Sequence, residues 1–370
     1  MVFYNYSVST MLEGILEDTM KGNLLKICLC FMAILFLIPI ISVPMIGQNQ
    51  PQTKQKQQLT RDRDPIQEAI KRKAEIDKIF ETQTKGILDY KKFTYKSSEG
   101  QMDIPAYLFA PLEKRGARAH PLLIWVHGGV HGNLGNVYLP FIKEACDRGY
   151  VVICPEYRGS TGYGEEHMEA IDYGGFEVED CISAVNSIER RDMSYIDPNR
   201  KAMIGWSHGG LITLHGIIRR PDLFKCGVAI VPVTNLVFRL AYKGPRYHSQ
   251  YTKQRRIGGN TWENREAYIA RSPVYQIDDL KIPVLVHLAD NDRDVNFVEA
   301  EMLVNALRVK KPDLAETKIY HNPRGGHSFN RQVNRETWER DDTPKPLDSW
   351  NRIWTFLEWH LRPYEWNKEN

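Results

Sequence analysis

Three side-chain types that together cleave acyl bonds occur in this chain in a workable order: a serine framed by glycines, then carboxylates, then histidines. The serine is Ser207, in "MIGWSHGGL", with Gly205 and Gly209 on either side. An alcohol oxygen attacks a carbonyl when a neighbouring base takes its proton, and the base works when a carboxylate fixes its tautomer. Carboxylates cluster in "PVLVHLADNDRDV", which offers Asp290, Asp292 and Asp294 just past an apolar run. At least one of them must orient the base if the mechanism holds; aspartate also serves simply to bend chains. Two histidines follow in "YHNPRGGHSF": His321 at the end of a run, and His327 after a glycine pair that lets the loop fold back. His327 is the expected base, and His321 reads as a packed or surface histidine. A tetrahedral oxyanion needs preorganised donors. The backbone N–H of His208, next to the serine, is one expected donor, and the N–H of Gly129 in "HGGV" is the other. His127 and His208 do not fit the chain order required of a base.

Positioning these residues requires strands whose ends converge. "KKFTYKSSEGQMDIPAYLFAP" alternates like an antiparallel hairpin, and "PLLIWVHGG" is a continuous apolar strand ending in glycines. The helical pattern "YLPFIKEACDRGY" leads into "VVICPEYRG", and "FEVEDCISAVNSIERR" into "KAMIGWSHGG". The runs "CGVAIV", "PVLVHLAD" and "ETKIYH" come later. Buried strands alternating with amphipathic helices predict an α/β protein with a mostly parallel central sheet and helices on both faces. Ligands then gather at the carboxyl ends of the strands. Ser207, after a strand and before a helix, meets the structural condition for the nucleophile elbow of the α/β-hydrolase fold.

The 370 residues, 42% of them hydrophobic, suffice for one large core. A net charge of +3 and the lack of a basic helix interleaved with aromatics argue against nucleic acid as a partner. "ICLCFMAILFLIPIISVPMI", residues 27 to 46, carries no charge and follows Lys21 and Lys26, so 1–47 reads as a signal peptide or a membrane anchor. Either reading puts the domain that follows on the exported side, secreted, periplasmic or anchored outside the membrane. "MKGNLLK" suggests that translation starts at Met20. Residues 48–64 read as a polar linker, 65–86 as a helix and 87–364 as the catalytic domain. Cys146, Cys154, Cys181 and Cys226 have no metal spacing and fall in apolar segments, which predicts buried free thiols. Neither a metal nor another cofactor is expected.

"GWSHGG", "WVHGGVHGN", "PEYRGSTGYGEEH", "AIDYGGFEVEDC" and "ARSPVYQIDDLKIPVLVH" resemble the catalytic domain of the prolyl oligopeptidase family of serine peptidases, over about residues 90 to 362. The resemblance implies Ser207 as nucleophile, His327 as base and, three residues before Val295, Asp292 as the acid. "HLADNDRDV" is one residue longer than the family's usual turn and lacks its glycine, which keeps Asp290 in play. Where dipeptidyl peptidases of the family carry an asparagine that holds the substrate backbone, this chain has Asp294, a departure that speaks against aminopeptidase-like binding. The family's usual N-terminal β-propeller does not fit between the apolar run and the first strand, since a single blade takes roughly 40 to 50 residues. Access is therefore expected to depend on the long segment 234 to 268, with Arg239, Lys243, Arg246, Arg255 and Arg256 either solvated or recognising a carboxylate. Peptide-bond cleavage of short peptides is the favoured activity. The alternative is a carboxylesterase acting on a small ester, such as an acylated or uronic-acid-bearing carbohydrate.

Overall fold

The computed structural model describes residues 64 to 365 except 190, 192 and 335. The apolar run and most of the polar linker read from the sequence lie outside the described residues. Eight strands form one sheet: β1 (Leu88–Lys96), β2 (Asp103–Pro111), β3 (His120–Val126), β4 (Val151–Pro155), β5 (Ile196–Trp206), β6 (Cys226–Ile230), β7 (Val284–Ala289) and β8 (Ala315–Tyr320). Their order is β1-β2-β4-β3-β5-β6-β7-β8. β2 runs antiparallel to β1 and β4, and every other pairing is parallel. Parallel neighbours need long crossovers, which is where the helices lie.

The helices are α1 (Pro65–Thr84), α2 (Leu139–Asp147), α3 (Glu165–Glu169), α4 (Phe176–Glu189), α5 (His208–Arg219), α6 (Leu236–Tyr242), α7 (Pro245–Thr252), α8 (Arg265–Ala270), α9 (Phe297–Lys310) and α10 (Pro344–Leu361). The period of two along a strand divides its side chains between two cores. In β3, Leu122, Ile124 and Val126 join α4, α5 and α9 on one face, while Leu123 and Trp125 join α1, α2 and α10 on the other. This is the two-faced α/β arrangement expected from the alternation of apolar runs. The second core is rich in indoles: Trp125 lies 5.0 Å from Trp206 at the end of β5, and Trp350 stacks on Phe141 at 4.5 Å.

Two local features differ in detail from the pattern reading. The segment 234 to 268, read as a connection, folds largely into α6, α7 and α8. α1 does more than precede the sheet. Its Lys73 is buried, with Nζ 2.6 Å from Glu156 Oε1 and 2.7 Å from the carbonyl of Leu134. All four described cysteines are buried free thiols, as their apolar settings predicted. Among the described residues, no helix is long and apolar enough to cross a membrane.

Candidate active site

Ser207 stands between β5 and α5 at φ 56° and ψ −117°, a conformation that costs a non-glycine residue about 1–3 kcal/mol. The surroundings enforce it. Its N–H donates to the carbonyl of Ile230 at 3.0 Å, and its own carbonyl accepts from Leu211 and Val233, each at 3.1 Å. The turn has no room for side chains on either flank: a Cβ at Gly205 would lie 2.1 Å from the Gly209 carbonyl, and one at Gly209 would lie 2.4 Å from the Val126 and His127 carbonyls. The glycines around Ser207 are therefore steric requirements of a strand and helix crossing the end of β3.

The acid and base come from the loops after β7 and β8. His327 Nδ1 lies 2.7 Å from Asp292 Oδ2, with side-chain exposures of 17% and 4%. The other Asp292 oxygen accepts the N–H groups of Asp294 (2.8 Å) and Val295 (3.0 Å), so the carboxylate is fixed by its own turn. Asp290 is engaged elsewhere, with Oδ2 3.0 Å from Nδ1 of His321, whose side chain is 83% exposed. The backbone N–H of Asn322 holds the Asp290 carboxyl below its ordinary pKa. Asp294 has its carboxylate 4.0 Å from His327 Nε2 and is 71% exposed. Asn291, between the two acids, donates to Asn322 Oδ1 and the Pro323 carbonyl, each at 3.0 Å, and so ties the two loops together.

Ser207, His208, Gly129, Asp294 and His327 line one cavity of about 430 Å³. His327 Nε2 forms no hydrogen bond with Ser207 here, a looseness common before substrate binds. A larger cavity, about 670 Å³ between β1 and α4, includes Ser97, Ser183 and Arg191 but no acid–base pair. Gly129 has φ +78°, and Tyr157 Oη donates to its carbonyl at 2.8 Å, which fixes the loop that carries its N–H. Behind the loop, His127 Nε2 sits 2.9 Å from Ser160 Oγ and 3.4 Å from Glu156 Oε2. Burial alone would raise the Glu156 pKa, but Lys73 and His127 outweigh it and lower it to about 2. His208 turns its ring toward buried Glu177, with Nε2 to Oε1 at 3.2 Å. Burial alone would raise the Glu177 pKa, but His208 and the Gly174 N–H together hold the carboxyl below its ordinary value. Both tempting histidines are thus bound into the walls, while their backbone neighbours face the cavity.

The sequence profile of the prolyl oligopeptidase family matches residues 141–343, which include Ser207, Asp292 and His327. The chain belongs to the prolyl oligopeptidase family. It is 31% identical over 222 residues to dipeptidyl aminopeptidase BIII of Pseudoxanthomonas mexicana, covering 59% of this chain and 32% of that protein. Identity to the mouse acylamino-acid-releasing enzyme is 27%, covering 56% of this chain and 29% of the relative. Among solved structures, a puromycin-hydrolyzing peptidase of Mycobacterium tuberculosis superposes with a TM-score of 0.59 at 25% identity, over 74% of this chain and 40% of that one. The acylaminoacyl peptidase of Pyrococcus horikoshii gives 0.61 at 19% identity, over 79% and 45%, and shares the fold. The chain spans about a third of the length of the curated relatives it matches.

Several residues of this family member's site escaped the sequence reading. Asn330, buried, accepts Trp206 Nε1–H on its side chain at 3.0 Å and Trp350 Nε1–H on its carbonyl at 2.7 Å, which links the elbow strand to the turn carrying His327. Arg331 and Tyr247 also line the cavity. Of the five basic residues read in 234 to 268, Arg239 alone lines this cavity, and it is buried. Its Nη1 lies 3.1 Å from Glu299 Oε2, and its Nε donates to Tyr247 Oη at 2.8 Å. Lys243 and Arg246 line a separate cleft, and Arg256 lies over Phe176.

Proposed function

We propose that this chain is a serine-type peptidase that cleaves short peptides through an acyl-enzyme. Ser207 Oγ attacks the scissile carbonyl while His327 Nε2 takes its proton, and the imidazolium is stabilised by Asp292 at Nδ1. The oxyanion is received by the N–H groups of Gly129 and His208, neither of which has a hydrogen-bond partner among the described residues. His327 then protonates the leaving amine, and a water activated by the same imidazole releases the acyl group. The observation that carries the reading is the part-buried Asp292–His327 hydrogen bond, whose imidazole lines one cavity with a strained serine. Relatives described as dipeptidyl aminopeptidase and acylamino-acid-releasing enzyme support peptide substrates.

The test is kcat/KM on matched aminoacyl amides and esters, with Ser207→Ala as control. Amide turnover within about 100-fold of ester turnover, lost in the control, is expected of a peptidase; ester turnover alone would overturn the reading. We also propose that the catalytic domain acts outside the cytoplasm, as a secreted, periplasmic or anchored protein, on the strength of the uncharged run at 27 to 46. Cell fractionation with an antibody to the domain checks this, and a purely cytoplasmic signal would contradict it.

A further inference from the structure

Two guanidinium groups line the cavity that holds Ser207, and they are in opposite electrostatic states. Arg239 is neutralised by buried Glu299. Arg331 has no carboxylate within ion-pair distance among the described residues. Its Nη1 donates to Tyr138 Oη at 2.8 Å, and the group lies over the rings of Tyr138 and Trp206, at 5.5 and 5.9 Å from their centroids. Nε is shut off from solvent without a partner, and Nη2 makes no hydrogen bond to a described residue. Nη2 is not shut off in this way, so it is the nitrogen left to donate a charge-assisted hydrogen bond to a carboxylate oxygen in the cavity.

The chain places this cation on one side of the chemistry. Arg331 ends the turn Gly326–Arg331, which also carries His327. The base must hand its proton to the leaving group, so the leaving group lies on the side of that imidazole. Arg239 belongs to α6, after β6, a different element of the cavity lining. Tyr138 Oη, which accepts from Arg331, also accepts the Gly128 N–H at 3.1 Å, so Arg331 is one hydroxyl removed from the oxyanion loop.

We propose that Arg331 binds a carboxylate on the leaving group, so that the preferred substrate releases a free amino acid with its α-carboxylate one residue beyond the scissile bond. This rests on the assignment of Ser207 and His327 above. It adds a positioning contact made by the substrate and leaves the bond-breaking steps unchanged.

The experiment compares four substrates with one acyl part: an N-acyl-aminoacyl-glycine and its glycinamide, and the corresponding glycolate and glycolamide esters. A charge-assisted hydrogen bond predicts that the free acid is preferred by about tenfold or more in kcat/KM, mostly through KM. Arg331→Gln is expected to bring the ratio near unity, and Arg331→Lys to keep part of it. Equal turnover of acid and amide by the unaltered protein, or a preference for the amide, overturns the proposal whether or not the variants fold. An acid preference in the ester pair with no cleavage of either peptide would uphold the proposal and sink the peptidase reading. Peptide cleavage without acid preference would do the reverse.

Discussion

Two Asp–His pairs bridge the loops after β7 and β8, and they match in residue type and ring atom. Asp292 meets His327 Nδ1 at 2.7 Å and Asp290 meets His321 Nδ1 at 3.0 Å. They differ in surroundings: His327 is 17% exposed and shares a cavity with Ser207, whereas His321 is 83% exposed and does not line that cavity. A hydrogen-bonded carboxylate and imidazole recur in this one fold, and what sets the Asp292–His327 pair apart is lower exposure and a serine lining the same cavity.

Neutralising each acid in turn separates the two pairs by the largest margin. Asp292→Asn is expected to cut kcat by about 10⁴ with the fold intact, because the imidazole is then held in the wrong tautomer. Asp290→Asn should leave kcat within about twofold, the usual scale for an exposed pair. Equal losses in steady-state assays would erase the distinction.

The same contrast between buried and exposed charge governs stability. Lys73→Met strands the buried Glu156 carboxylate behind the oxyanion loop and should cost about 3–5 kcal/mol in denaturant unfolding. Disrupting the exposed ion pair between Lys310 of α9 and Asp278 of the turn Pro273–Asp279 should cost about 1 kcal/mol or less. If the two losses were alike, burial would not be the deciding variable.

Buried histidines sharpen the point through pH. Burial lowers His215 and His287 to about 3. Below the unfolded value near 6.5 the unfolded chain binds protons that the folded one refuses, so stability drains away as pH falls from about 6.5 to about 3. Glu156, at about 2 in the fold, adds a further loss as pH drops below about 4.5. Melting temperatures across this range should fall steadily, and a flat profile would count against these environments. A small effect is also expected at Asp294, exposed and 4.0 Å from His327 Nε2. Asp294→Asn should change kcat/KM on a neutral ester by only a few fold, since exposed charges interact weakly.

The scaffold was legible because apolar runs and helix patterns alternate, and the elbow because only glycine fits at 205 and 209, two positions to either side of Ser207. Choosing between Asp290 and Asp292 from the residues alone was out of reach. Two positions separate them on one loop, and what distinguishes them is the loop closure made by Asn291 with Asn322 and Pro323. The resemblance pointed to Asp292, and the geometry places that residue against His327. Arg239 was read as one charge in a basic stretch because its partner Glu299 lies 60 positions away, a pairing that exists only once α9 packs beside α6. Asn330 carried no signal at all: an asparagine after a histidine turn looks like any loop residue until two indoles converge on it.

Labelling with a fluorophosphonate probe, followed by mapping of the modified peptide, probes the nucleophile and its acid–base pair together. One adduct per chain is expected, on Ser207, absent in Ser207→Ala, much slower in Asp292→Asn and unaffected in Asp290→Asn. Undiminished labelling of Ser207→Ala, or an adduct at another residue, would contradict the assignment of Ser207 as nucleophile.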